Sequence, residues 1–119
     1  MKILVCGGRD YSDRAQLFTV LDFIHENKPI SLLIQGGARG ADSLSKEWAI
    51  SRGVDNVEFP ADWAKYGKSA GPRRNQKMLE DGGPDFVLAC PGGRGTENMV
   101  DLAKDTVRVW RLPINNINQ

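Results

Sequence analysis

Three glycine-rich turns, each carrying an arginine, follow three separate apolar runs: Gly7-Gly8-Arg9, Gly36-Gly37-Ala38-Arg39-Gly40, and Pro91-Gly92-Gly93-Arg94-Gly95-Thr96. Glycine lets the backbone reach positive φ and lets a ligand come close to the main chain, so such a turn ahead of a helix offers backbone N–H groups to an anion. The arginine beside it adds a planar fork of donors that matches phosphate in a bidentate way. Gathered at one edge of one sheet, the three turns would make a pocket for a phosphorylated molecule.

The turn running from Gly36 through Gly37, Ala38, Arg39, Gly40 and Ala41 to Asp42 lacks the G-x-G-x-x-G spacing of a dinucleotide fingerprint. It also lacks the Gly-Lys-Ser/Thr of a Walker loop. Its plainer alternative is a tight strand-to-helix connection in which the glycines only permit the turn. Pro91 to Thr96 packs a proline, three glycines and a threonine into a helix start, a backbone cradle with a hydroxyl at or near the N-cap. Pro72-Arg73-Arg74-Asn75 sets two guanidiniums at a helix N-terminus, against the helix dipole unless something negative is bound or paired there. A phosphate partner and a salt bridge to Asp62, Asp42 or another acid are both open. Trp63 and Tyr66 could stack a base, or could lid a small hydrophobic cluster.

The elements that would position these groups alternate between strand and helix. Lys2–Cys6, Ser31–Gln35, Val57–Pro60, Phe86–Cys90 and Val107–Leu112 read as strands. Asp13 to about Glu26 carries Leu17, Leu21 and Ile24 at helical spacing, and Ala41–Arg52 carries Leu44 and Trp48 with Gly53 as its cap. Pro72 opens a helix ending at Gly82-Gly83, and Thr96 to about Lys104 forms another. The stretch Ala61–Gly71 follows neither period and reads as a long connection. The expected fold is therefore α/β: a Rossmann-like three-layer sandwich around a five-stranded parallel sheet of order 3-2-1-4-5. All three turns leave carboxyl ends of strands, where ligands bind in such folds. The order also makes Cys6 and Cys90 neighbours.

The 119 residues predict one domain over 1–112 and a polar tail over 113–119. Sixteen Lys and Arg stand against fifteen Asp and Glu, so the net charge of +1 gives no reason for non-specific attraction to nucleic acid or anionic membranes. No apolar run reaches the length of a membrane span and the start is too short for a signal peptide, so a cytoplasmic location is expected. Two cysteines fit neither a disulfide framework nor a metal spacing, and His25, the single histidine, reads as a surface residue. No metal and no cofactor is expected.

Gly-Gly-Arg-Asp after the first strand, Gly-Gly-Ala-Arg-Gly-Ala-Asp, Ala-Asp-Trp with Gly-Lys-Ser-Ala-Gly-Pro-Arg-Arg-Asn, and Pro-Gly-Gly-Arg-Gly-Thr together resemble the YspA/YpsA-related branch of the SLOG superfamily. That Rossmann-like group includes the DprA (Smf) and lonely-guy proteins, and the resemblance runs from Met1 to about Leu112. It implies a domain that binds, senses or processes nucleotides and nucleotide-derived signals. The chain is also similar to the lonely-guy enzymes, which cleave the N-glycosidic bond of nucleoside monophosphates with an arginine and a glutamate. The arginine matches Arg74. The position aligned with the acid holds Met99, and Glu97, two residues earlier, points about 160° away around the helix.

The leading expectation is a protein that binds a phosphorylated nucleoside or nucleotide-derived signal, as a sensor or sequestering protein. Expected contacts are Gly7, Gly8, Arg9, the Gly36–Asp42 turn, Trp63, Lys68, Arg74, Asn75 and the segment Pro91, Gly92, Gly93, Arg94, Gly95 and Thr96. The alternative is a nucleoside-monophosphate phosphoribohydrolase with Arg74 and Glu97 as catalytic candidates. Single-stranded DNA binding is disfavoured, because a near-neutral chain lacks a continuous basic groove. A pocket open on one side could borrow a wall from a second copy of the chain.

Overall fold

In the computed structural model, which describes residues 1–113, the five apolar runs form one parallel sheet. The strands are β1 (Lys2–Cys6), β2 (Leu32–Gln35), β3 (Asp55–Glu58), β4 (Phe86–Ala89) and β5 (Arg108–Arg111), and their order is β3-β2-β1-β4-β5. β1 is central because it is apolar on both faces: Ile3, Leu4 and Val5 have no exposed surface. Ile3 sits opposite Leu33 of β2 on one side and Phe86 of β4 on the other.

Four helices of more than two turns cover the faces. α1 (Arg14–Asn27) and α2 (Ala41–Arg52) bury Leu17, Leu21, Ile24 and Trp48 against Ile3, Val5 and Leu33. α4 (Ala70–Gly82) and α5 (Arg94–Ala103) bury Met78, Met99 and Val100 against Leu4, Ile34 and Val87. Gly53 closes α2 in the left-handed conformation at φ +69°, its N–H donating to Ala49 and Ile50 carbonyls.

Several strand ends shift by a residue, and four departures from the sequence-based boundaries go further. β3 begins two residues early because Asp55 and Asn56 pair with Leu32 and Leu33. Poor strand formers are tolerated on this half-exposed edge strand. Ala61–Gly71 is not a plain loop: Asp62 accepts the Lys65 N–H at 3.1 Å and nucleates the one-turn α3 (Trp63–Tyr66), and a 3₁₀ turn at Gly67–Ser69 leads into α4. α4 starts at Ala70, so Pro72 is its third residue, still within the turn whose N–H groups lack partners. α5 starts at Arg94, capped by Gly93 without a side-chain bond, which leaves Thr96 buried inside the first turn. His25 also departs from expectation. It is half-buried, its Nδ1 accepting the Ile30 N–H at 2.9 Å and its ring edge-on to Trp48. Residues 114–119 of the expected tail lie outside the described residues.

Candidate functional site

The parallel topology delivers the three glycine turns to the carboxyl edge of the sheet, and backbone contacts lock them together. Gly8 donates its N–H to the Pro91 carbonyl at 2.8 Å, and its own carbonyl accepts the Ala41 N–H at 3.2 Å. The first turn is thus clamped between the other two. Gly40, at φ +80°, permits this approach: a side chain there would collide with the Gly8 carbonyl and come within 2.6 Å of the Arg9 carbonyl. On the other flank a Cβ at Gly92 would collide with Thr96 Oγ1 and approach the Gly8 nitrogen to 2.6 Å.

Around this junction lies a cleft of about 420 Å³, in the range of small-molecule sites. Gly7, Gly8 and Arg9 line it from the first turn, Ala38 and Asp42 from the second, and Gly93, Arg94, Gly95 and Thr96 from the third. Trp63, Lys68, Arg74 and Asn75 enclose the remaining side, with Met78 as an apolar floor. A second lobe of about 380 Å³ shares Arg9, Ala38, Trp63 and Arg74 and extends over Gly36, Gly37 and Arg39 to Pro60 and Ala61. Arg9 stands 5.6 Å from the centre of the Trp63 ring, so cation and indole together form the ridge between lobes.

The electrostatics of the larger lobe are one-sided. Arg9, Lys68, Arg74 and Arg94 reach it, and among the described residues none of the four is in a salt bridge. Asp42 is the single carboxylate in its lining. The start of α5 adds the N–H groups of its first turn, which have no side-chain cap.

Arg74 is held by α4 over the second turn. Its Nη1 donates to the Gly36 carbonyl at 2.7 Å and its Nε to Asn75 Oδ1 at 3.1 Å. A Cβ at Gly36 would lie 2.5 Å from Nη1 and would push the guanidinium out of this position. Burial pulls the guanidinium below its usual value, and the Asp42 carboxylate opposes that pull. Asn75, 4% exposed, uses its amide hydrogens on the Gly95 carbonyl at 3.0 Å and Asn98 Oδ1 at 2.9 Å, and so ties α4 to α5. Asp42 accepts the Ala38 N–H at 3.1 Å. Burial pushes its carboxyl up, against the Ala38 N–H and the Arg74 charge, which favour the ionised form.

Several predicted site residues sit differently from their expected roles. The Gly37 N–H is taken by Gln35 Oε1 at 2.6 Å and the Ala38 N–H by Asp42, so the second turn spends these amides on itself. Arg39 lines only the smaller lobe and reaches Asp10 at 3.3 Å. Arg73 lies over the Tyr66 ring at 4.4 Å, and neither of that pair lines either lobe. Glu97 is outside the cleft, held bidentately by Arg111 at 2.9 and 2.8 Å, and Met99 is fully buried in the core. Gln35 and Asn98 escaped sequence reasoning. A polar residue ending an apolar strand was the available signal for Gln35, whose Nε2 also donates to Glu58 at 3.3 Å. Asn98 is signalled only by its place next to Glu97, on the α5 face that turns inward.

Comparison with known proteins agrees with this architecture. Residues 1–66 match the YspA, cpYpsA-related SLOG family. The chain is 34% identical over 99 residues to the Gene 61 protein of Mycobacterium phage D29, covering 78% of each chain. Its fold is similar to that of DNA processing protein A (DprA) from Streptococcus pneumoniae, with a TM-score of 0.54 at 16% identity over 92% of this chain. The chain spans 58% of that structure's length, and the likeness is one of fold. By the family match and the relative together, the chain belongs to the YspA, cpYpsA-related SLOG family.

Proposed function

We propose that this protein binds a phosphorylated nucleoside or a nucleotide-derived signal in the larger lobe and acts by holding it, as a sensor or a sequestering protein. The observation that carries this reading is the meeting of four cations without a salt bridge among the described residues, Arg9, Lys68, Arg74 and Arg94, with the uncapped first turn of α5 in one cleft. Amides at a helix start and guanidiniums favour the same charge, and a partly enclosed site screens neither as water would. Phosphate would sit at Gly93–Thr96. The Trp63 face and the apolar contacts of Met78 and Pro72 suit a base or another flat group.

The enzymatic alternative has Arg74 in the cleft but not Glu97, whose carboxylate is engaged by Arg111. Glycosidic cleavage would have to rely on Asp42, the carboxylate that does line the lobe. A panel of nucleoside mono-, di- and triphosphates tests both readings. The binder reading expects one or more to raise the melting temperature without release of free base, and Arg74→Ala to abolish the rise. No rise with any of them defeats it, and base release that Asp42→Asn abolishes replaces it with the hydrolase.

A further inference from the structure

We propose that Asp42 accepts hydrogen bonds from the sugar hydroxyls of the ligand, so that the cleft selects a ribonucleotide over bare phosphate and over a sugar lacking those hydroxyls. This rests on the phosphate-binding reading above and assigns its sugar side.

Asp42 is 7% exposed, and the part of it that remains open faces the larger lobe. A buried carboxylate is retained when it has partners. The obvious partner, Arg74, forms no ion pair with Asp42: its Nη1 donates to the Gly36 carbonyl and its Nε to Asn75 Oδ1. Backbone N–H groups of the second turn face the carboxylate, Ala38 at 3.1 Å from Oδ2 and Gly36 beside it. No side chain among the described residues donates to it. An ionised carboxylate offers about four lone-pair sites, so the turn satisfies one side and leaves the cleft side for a donor.

A phosphate cannot be that partner, since both groups are anions. It belongs instead at the start of α5, where the amides and Arg94 are. α2 follows β2 and α5 follows β4, which flank β1 on either side. Along the sheet edge the two helix starts are therefore offset by at least two strand spacings, roughly 10 Å. A nucleoside monophosphate carries its phosphate and its 2′- and 3′-hydroxyls at opposite ends of the sugar, neutral donors at one end and anion at the other. Such a ligand matches the charge order along the cleft.

The test measures affinities of the full chain for the four ribonucleoside 5′-monophosphates, their 2′,3′-dideoxy counterparts and inorganic phosphate. With wild type, at least one ribonucleotide should bind about 10-fold or more tightly than its dideoxy counterpart, the size of a charge-assisted hydrogen bond. Asp42→Asn is nearly isosteric and can still accept the Ala38 N–H. It removes the charge that strengthens the bonds to the hydroxyls, so the ribo/dideoxy ratio should fall several-fold, whereas a purely structural defect would weaken all ligands alike. Equal wild-type affinity for ribo and dideoxy forms overturns the assignment while leaving phosphate binding in place. So does a ratio that survives Asp42→Asn, or a preference set by amino-bearing bases without regard to hydroxyls. If Asp42→Asn fails to fold, the wild-type ratio alone decides. Binding of none of the nucleotides overturns both this assignment and the reading it rests on.

Discussion

Arg74 donates to the Gly36 carbonyl at 2.7 Å, so a side chain from α4 is fixed on the backbone of a turn that follows β2. The bond does more than brace the turn. It spends one edge of the guanidinium on protein and orients the rest toward the cleft that Arg74 lines.

Arg74→Ala is therefore expected to weaken nucleotide binding by about 1.5–3 kcal/mol, the usual loss for a charge-assisted hydrogen bond. Arg74→Lys should recover little of it, because an ammonium cannot hold Gly36 and Asn75 and still present a fork to phosphate. Calorimetric titration with the tightest ligand checks both. Full affinity in the lysine variant would mean that Arg74 contributes charge alone.

Glu97→Gln should leave binding and melting temperature nearly unchanged. The Glu97–Arg111 pair is exposed and stands outside the cleft, and exposed pairs contribute little. If the wild type releases base from a nucleotide and Glu97→Gln stops it with affinity intact, Glu97 must swing away from Arg111 to act as a catalytic acid.

Gly40→Ala should destabilise the fold by about 1–3 kcal/mol, because φ +80° strains any side chain and the new Cβ meets the Gly8 carbonyl. Gly95→Ala, where an added Cβ meets nothing within 4 Å, should fall within about 0.5 kcal/mol of wild type. Urea unfolding of the two variants reads the contrast directly. Equal effects would show that the turns are not clamped.

Asp22 predicts part of the acid limb of stability. Hydrogen bonds from Arg52, and then from the Trp48 indole, hold its carboxyl near 2, below the ordinary 3.8. The folded chain thus binds this proton less tightly than the unfolded chain. The resulting stabilisation is complete above 3.8 and is lost as pH falls toward about 2. Asp22→Asn should flatten the stability curve in that window by a modest amount, since the pair is partly exposed. An unchanged slope between the two pH values would count against it.

Cys90 donates its backbone N–H to the Cys6 carbonyl at 2.8 Å, yet the two thiols pack into different core clusters on opposite faces of the sheet. Burial pushes the Cys90 thiol up to about 12 and raises Cys6 as well. Neither should react with a thiol reagent at neutral pH until the protein unfolds, and oxidation should not join them. Rapid labelling of native protein would contradict their burial.

Sheet order, strand positions and the nearness of the three glycine turns were legible in the sequence, because apolar runs alternating with 3.6-period segments leave few right-handed parallel topologies. Local signals also located Gly53 as a cap and Arg74 at a helix start. Roles were a different matter. Gly37 and Ala38 look like phosphate donors in sequence, but Gln35 and Asp42, two and four residues away along the chain, take their N–H groups once the turn is formed. Arg73 and Arg74 are adjacent and chemically alike, but the helix turns about 100° per residue, sending one to Tyr66 and the other to the cleft. Glu97 and Asp42 are both acids in the first turn of a helix. Which one reaches the site depends on a neighbour distant in sequence: Arg111 on β5 takes the first, while the second, buried and bonded to the Ala38 N–H, lines the larger lobe. Hydrogen-bond partners of this kind are set by which elements pack together, and no local pattern encodes them.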